Sequence, residues 1–369
     1  MLFKGTSRKS SLEIVKLIEG LGGSFDAYTA KENLIILTKF LSEHINHVFE
    51  LIAEILFESK IAEDELNKEK SVVLEEIKSN NEDPGEYVFD LLFKALFPNN
   101  AMGMPIAGSE DSIQKIDARM VHKYYHDLLR KKMVIAISGN FNYEKILNLT
   151  QTKFPSIELL KTERKKPSGE VGKIIVQSRK DISQVHFVVA TIGAGYPSKL
   201  RHHLSILNTA FGGGMSSRLF QGLREKEGLV YDVQSFLDLY SDCGITGFYF
   251  VCDKTSLKKV SQQLKIILSE INKDGFNKAE IELAKTYLSG NLLLSLENST
   301  NRMLRLGREM SYLNEVTTID GIISKIKGIK YFEINELIKE YLDPTKYTVA
   351  AVGPIKDEEV EGIMKVIGA

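Results

Sequence analysis

One seven-residue pattern occurs twice in this chain. Met133-Val-Ile-Ala-Ile-Ser-Gly139 and Tyr347-Thr-Val-Ala-Ala-Val-Gly353 are both short apolar runs of strand-forming residues closed by glycine. The two glycines lie 214 residues apart. A period that long points to a duplicated domain, because solenoid repeats run only ~20–45 residues. The total of 369 residues agrees. It exceeds one typical core and suits two domains of ~150–200 residues each.

The hydrophobic pattern supports two halves. Leu12, Val15, Leu17 and Ile18 fall close to helical spacing and stop at Gly22-Gly23. Strand-like runs follow at Ser24–Thr29 and Asn33–Phe40, then helices near Glu43–Phe57, Ala62–Asn80 and Gly85–Leu96. A further helix leads to the expected strand Met133–Gly139 and to an amphipathic helix, Asn142–Phe154. From Pro155 to Glu170 the chain is polar and charged without an apolar period, which reads as a linker. The second half begins with strands at Lys173–Gln177 and Gln184–Thr191 and a helix near His202–Phe211. A glycine-rich turn, a helix, strands at Leu229–Leu239 and Gly244–Cys252, several long helices and the strand Tyr347–Gly353 complete it. The expected division is an N-terminal domain over 1–155, a linker over 156–170 and a homologous C-terminal domain over 171–369.

The halves differ in length. From the linker to Gly353 is roughly 183 residues, against roughly 138 from Met1 to Gly139. The second half has two strands ahead of its first helix, and the first half has no counterpart to them. By internal symmetry the first domain is expected to lack about 45 residues at its front.

Composition excludes some classes. A net charge of −1 gives no general attraction for nucleic acid or anionic lipid. No apolar run reaches the ~20 residues of a membrane span. Two cysteines, Cys243 and Cys252, cannot build a disulfide framework. They read as packing residues of a protein in a reducing compartment, such as a bacterial cytoplasm. Gly212-Gly-Gly-Met-Ser-Ser217 lacks the G-K-[ST] ending of a phosphate loop and reads as the turn before a helix.

Four stretches together resemble the pitrilysin and mitochondrial processing peptidase family of zinc peptidases, whose inverted motif is H-x-x-E-H. Met1-Leu-Phe-Lys-Gly-Thr6 is similar to the run that directly follows that motif, and Gly22-Gly-Ser-Phe-Asp-Ala-Tyr-Thr29 to the family's G-G-x-x-N-A-x-T. Glu69-Lys-Ser-Val-Val-Leu-Glu-Glu76-Ile with Asp83-Pro84 resembles E-R-x-V-V-x-E-E-I…D-x-P. Met215-Ser-Ser-Arg-Leu-Phe-Gln-Gly-Leu-Arg224-Glu-Lys-Glu-Gly-Leu-Val-Tyr231 resembles the C-terminal signature. Each is weak alone. Their common order over more than 200 residues is specific.

The resemblance implies an α+β fold of two related domains, each a mainly antiparallel sheet covered by helices, closing as a clamshell around unfolded peptides. It also implies a zinc-dependent metalloendopeptidase. In the family, the inverted motif supplies two histidine ligands and the general-base glutamate. That motif is absent from the 369 residues, so the chain as it stands is expected to be inactive and not to hold Zn2+ at the catalytic site. Counted from a histidine just before Met1, the family's third ligand falls on Glu76. Glu69, two helical turns earlier on the same face, takes the position of the supporting acid. Without the resemblance, Glu69, Glu75 and Glu76 read as a solvated helix face.

Arg224 and Tyr231 correspond to the pair that holds the substrate carbonyl and stabilises the oxyanion in the family. Asp26, Ala27, Tyr28 and Thr29 correspond to the sheet edge on which a substrate peptide adds as a strand. Asp26 stands where the family usually has Asn; it keeps the acceptor and loses the amide donor. Leu129-Arg-Lys-Lys132 replaces the family's usual Pro and Asn before the strand at Met133. The histidine pairs His122/His126 and His44/His47 have one-face helical spacing. Neither has a general-base carboxylate in register, and both are set aside as a catalytic centre.

The expected partners are a peptide substrate and, as homodimer or heterodimer, a homologous subunit. Nucleic acid and a membrane span are not expected. The alternative reading is a non-catalytic partner or scaffold subunit that contributes the Arg/Tyr pair to a peptidase complex.

Overall fold

The computed structural model describes residues 1–161 and 164–368. Thr162 and Glu163 of the expected linker, and the final Ala369, lie outside the described residues. In chain order the first helices and strands are α1 (Ser11–Gly20), β1 (Ser24–Thr29), β2 (Leu34–Lys39), α2 (Ile45–Phe57), α3 (Glu63–Glu82) and α4 (Pro84–Leu96). Next come α5 (Glu110–Lys115), α6 (Ala118–Leu129), α7 (Tyr143–Lys153), β3 (Ile174–Ser178), β4 (Gln184–Gly193) and α8 (Arg201–Gly212). A π-helical stretch, Phe220–Glu225, precedes β5 (Asp232–Leu239) and β6 (Gly244–Asp253). The chain continues through α9 (Leu257–Asp274), α10 (Lys278–Ser295), α11 (Ser299–Leu313), α12 (Ile319–Gly328), α13 (Tyr331–Glu336) and α14 (Ile338–Tyr341). It ends in β7 (Thr348–Gly353) and α15 (Asp357–Gly368). The expected mixed α+β class is observed.

Two compact units form, and each draws on separate stretches of chain. Unit 1 comprises Met1–Ser79, Pro105–Arg164 and Asn298–Gly307. Unit 2 comprises Asn80–Met104, Lys165–Glu297 and Arg308–Ala369.

In unit 1, β1 and β2 pair antiparallel from Ser24 opposite Lys39 to Thr29 opposite Leu34. Ser10 and Glu13 cap α1 reciprocally, and Gly22 closes it at φ +62°, a conformation that costs glycine little. Ile14 is buried with Leu51 and Ile55, backed by Leu17 and Ile18, whereas Leu12 and Val15 face outward. The inward stripe is therefore set one residue away from part of the expected one.

A buried carboxylate fixes the start of the chain within this unit. Glu54 of α2 accepts from the Thr6 hydroxyl at 2.5 Å and from Lys9 Nζ at 2.6 Å. Burial pushes this carboxyl up, but the hydrogen bonds from Lys9 and Thr6 outweigh it and leave it below the usual range.

The expected strand Met133–Gly139 does not form; no ladder includes it. Its counterpart β7 explains why. β7 lies between β3 and β4, both of which precede α8. Within unit 1 the described residues offer no such pair of flanking strands. A strand-forming sequence without neighbours has no partner for its backbone, and Met133 and Ile135 stay exposed. Ile137 still packs on Ile45, Phe49 and Leu149.

Unit 2 holds a five-stranded sheet in the order β3-β7-β4-β6-β5, antiparallel except for β3 with β7. Period-2 alternation sends side chains to opposite faces. Val185, Phe187, Val189, Phe248, Phe250, Cys252, Val349 and Ala351 enter the larger core with α8, α9 and α15. Val188, Ala190, Ile245, Tyr249, Val251, Ala350 and Val352 pack on Val88, Leu91, Leu92 and Leu96 of α4. With both faces covered, β6 is buried from Gly244 to Cys252, which accounts for its nearly unbroken apolar run. Cys243 and Cys252 are both buried, as packing residues should be.

Candidate functional site

In unit 1 the signature carboxylates lie on α3, a 20-residue helix that buries only Leu66 and Ile77. Seven residues separate Glu69 from Glu76, a spacing of ~10 Å along one helix face. Glu69 is half-buried and accepts an ion pair from Lys4 Nζ at 2.7 Å. Its other oxygen lies 3.9 Å from the Met1 α-nitrogen. The first residues thus run against Glu69, held there by Thr6 and Lys9 on Glu54 and by the Ser59 hydroxyl on the Leu2 carbonyl at 2.8 Å. Glu76 is exposed, as is Glu75.

β1 carries Asp26, Ala27, Tyr28 and Thr29 opposite Leu37, Ile36, Ile35 and Leu34. Among the described residues β1 pairs only with β2, so its second edge presents unpaired backbone groups. All four residues are exposed. An edge of this kind can accept an extended peptide by main-chain hydrogen bonds.

Unit 2 carries Arg224 and Tyr231. Arg224 lies in the π-helical stretch Phe220–Glu225, where the sequence suggested an ordinary helix. Such one-turn widenings often occur at functional positions. Its guanidinium sits 5.3 Å from the centroid of the Phe220 ring and 3.6 Å from Asp232. The Arg224 carbonyl accepts from Gly228 N, and Gly228, at φ +59°, turns the chain toward β5. Tyr231 N donates to the Val251 carbonyl at 2.8 Å. The Tyr231 hydroxyl donates to Asp253 Oδ2 at 2.9 Å, and this bond raises the phenol above its ordinary range. Tyr231 is 54% exposed, so the phenol is held in place yet remains reachable.

Sequence reasoning missed Asp253 and Asp232 as partners of this pair. Asp232 is adjacent in sequence and could have been suspected. Asp253 meets Tyr231 only through the β5–β6 register, which no local signal gives.

A catalytic zinc needs three protein ligands and a water position. The residues present do not fit it. Among the described residues no group of three or more His, Cys, Asp and Glu side chains could hold a metal ion. His122 and His126 are exposed on α6, and the Tyr125 hydroxyl between them donates to the Leu56 carbonyl. His44 lies 3.7 Å from Glu43 and 6.5 Å, centroid to centroid, from His47. No helix among the described residues is long and apolar enough to cross a membrane.

Comparison with known proteins gives consistent matches. The family model described as insulinase (peptidase family M16) matches residues 1–110, and that described as peptidase M16 inactive domain matches residues 115–288. An uncharacterized zinc protease of Bacillus subtilis, YmxG, is 33% identical over 96% of this chain and 86% of its own length. An uncharacterized zinc protease of Mycobacterium leprae is 30% identical over 96% of this chain and 81% of its own. A crystal structure of a protease from Helicobacter pylori superposes with a TM-score of 0.83 at 19% identity, over 96% of this chain and 87% of that one. A chain of complex III2 from Candida albicans superposes with a TM-score of 0.80 at 18% identity, over 99% and 92%.

Proposed function

The chain belongs to the M16 peptidase family, and from that premise we propose that it forms most of a zinc-dependent metalloendopeptidase that cleaves unfolded peptides or precursor segments. In this reading the β1 edge at Asp26–Thr29 receives the peptide backbone. Glu76 is the third zinc ligand and Glu69 supports the site. Arg224 binds the substrate carbonyl. The Tyr231 hydroxyl, oriented by Asp253 before substrate binds, turns its one O–H from that carboxylate to the oxyanion. The two histidine ligands and the general base belong to an H-x-x-E-H segment outside these 369 residues, so this chain alone does not hold catalytic zinc and does not cleave.

The observation that carries the reading is the approach of Met1 to α3. With Glu69 3.9 Å from the Met1 nitrogen and 2.7 Å from Lys4, a histidine attached before Met1 would begin beside the supporting acid. That is the order the family's motif requires. The zinc protease relatives support the metal assignment. The domain division at 1–155 and 171–369 is retained as part of the proposal.

The test compares the 369-residue chain with a form extended by the corresponding N-terminal segment of the Bacillus subtilis relative. The extended form is expected to bind one zinc and cleave a quenched fluorogenic peptide, and the shorter chain to do neither. A folded, zinc-loaded extended form without activity overturns the enzyme reading.

The second reading is a partner subunit that assembles with a homologous active chain. The absence of a three-ligand cluster among the described residues favours it. Copurification with a homologous subunit, with cleavage only in the mixture, would establish it in place of the first.

A further inference from the structure

The tip of a hairpin is ordinarily the most solvated part of it, and a glutamate there should stand in water. Glu32, in the turn between β1 and β2, does not: its side chain is only 5% exposed. The turn is tight, with the Ala30 amide donating to the Asn33 carbonyl at 2.8 Å. Cover and counter-charge come from the linker. Arg164 Nη2 lies 2.5 Å from Glu32 Oε1.

The linker is fastened at a second point. The Leu160 amide donates to the Arg130 carbonyl at 2.8 Å, and Arg130 Nε donates to the Glu158 carbonyl at 3.3 Å. Arg130 belongs to Leu129-Arg-Lys-Lys132, the run that replaces the family's usual Pro and Asn. That departure therefore supplies an anchor for the linker at the end of α6. Arg164, the last residue of this stretch in unit 1, supplies the other at the hairpin tip.

The hairpin needs such a fastening. Two strands alone are at best marginally stable, and among the described residues β1 and β2 pair only with each other. The Ser24 end is held by packing: Phe25 meets the Phe3 ring edge-on at 4.6 Å and lies on Ile14, Leu51 and Ile55. Toward the tip that packing ends, and Tyr28 and Leu34 are exposed. There the Glu32–Arg164 pair fastens the hairpin. Removing the guanidinium would strand a buried carboxylate, which is strongly unfavourable. The tip relieves it by moving out into water and fraying.

We propose that Arg164 is a positioning residue for the β1 edge. Through Glu32 it holds the hairpin tip, so that the backbone groups of Asp26–Thr29 stay extended and aligned for an incoming peptide strand. This rests on the reading of β1 as the edge that receives the peptide. Arg164 acts without touching that peptide. A peptide adding to a frayed edge bears the cost of ordering it, whereas a fastened edge is ordered beforehand.

The 369-residue chain is the material for the test, since strand addition needs no metal. Fluorescein-labelled, reduced and carboxymethylated lactalbumin, a permanently unfolded chain, is titrated by anisotropy. Amide exchange of β1 and β2 is followed by mass spectrometry. The wild-type chain is expected to bind the probe and to gain protection at β1. Arg164→Ala is expected to speed exchange across Ala27–Leu34 and to weaken binding by about tenfold, from the stranded carboxylate, with little change in the thermal midpoint. Arg164→Lys should restore part of the affinity, and the charge-swapped pair Glu32→Arg with Arg164→Glu more of it. Exchange and affinity unchanged in Arg164→Ala, or a loss that neither rescue recovers, would overturn the role of Arg164 and leave the edge reading standing. A wild-type chain whose β1 gains no protection from the probe overturns the edge reading itself, and this role with it.

Discussion

The Tyr231 hydroxyl donates to Asp253 at 2.9 Å, joining the residue just before β5 to the last residue of β6. This bond holds an exposed phenol in one orientation and takes up its single O–H, so in the proposed role Tyr231 releases Asp253 to donate to the oxyanion. Asp253→Asn is expected to bring the Tyr231 ionisation back down toward its ordinary value, as followed by ultraviolet titration. In the extended, zinc-loaded form, Tyr231→Phe should lower kcat by ~10²–10³-fold, the usual loss for one oxyanion donor. An unchanged kcat would remove Tyr231 from that role.

Glu69 and Glu76 should separate in their effects. In the extended form Glu76→Gln is expected to abolish stoichiometric zinc. Glu69→Gln should weaken metal binding or activity by ~10–100-fold, as loss of a supporting partner does. Zinc content by atomic absorption distinguishes the two. Equal, negligible effects would return both acids to a solvated helix face.

Glu54 makes unit 1 sensitive to acid. Its folded pKa is lowered, so its stabilising contribution is complete above the unfolded carboxylate pKa. The contribution is lost as pH falls through the folded value. Glu58 follows the same sign, brought to about 2 by hydrogen bonds from Arg8 and Ser7. Denaturant unfolding should show that Glu54→Ala costs about 2–4 kcal/mol at pH 7, from a broken buried pair and its hydrogen bonds. The cost should shrink at pH 3. A deficit independent of pH would mean that packing, not charge, is at stake.

Gly247 probes the five-stranded sheet. A Cβ there would lie 2.1 Å from the Val189 carbonyl oxygen across the β4–β6 pair. Gly247→Ala is expected to destabilise unit 2 by about 3 kcal/mol, through strand displacement in a packed core. Thermal unfolding checks this, and an unchanged midpoint would show that the pair can yield.

Much of this molecule was legible from local pattern. Helix and strand positions came from hydrophobic period, caps and glycines, because those signals act within a few residues. The 214-residue echo of Met133–Gly139 in Tyr347–Gly353 pointed to duplication. The motif order pointed to the family, and the helical spacing of Glu69 and Glu76 put both acids on one face before any coordinates. What depended on distant partners was not legible. Met133–Gly139 has the composition of a strand and lacks neighbours to pair with, whereas β7, with the same composition, is held between β3 and β4. Leu12 and Val15 matched an inward stripe that packing gave partly to Ile14. Asp253 became the partner of Tyr231 through a register. Period and propensity determine what a segment can become. Pairing, burial and the meeting of charges depend on which other segments arrive beside it, and only the tertiary structure decides that.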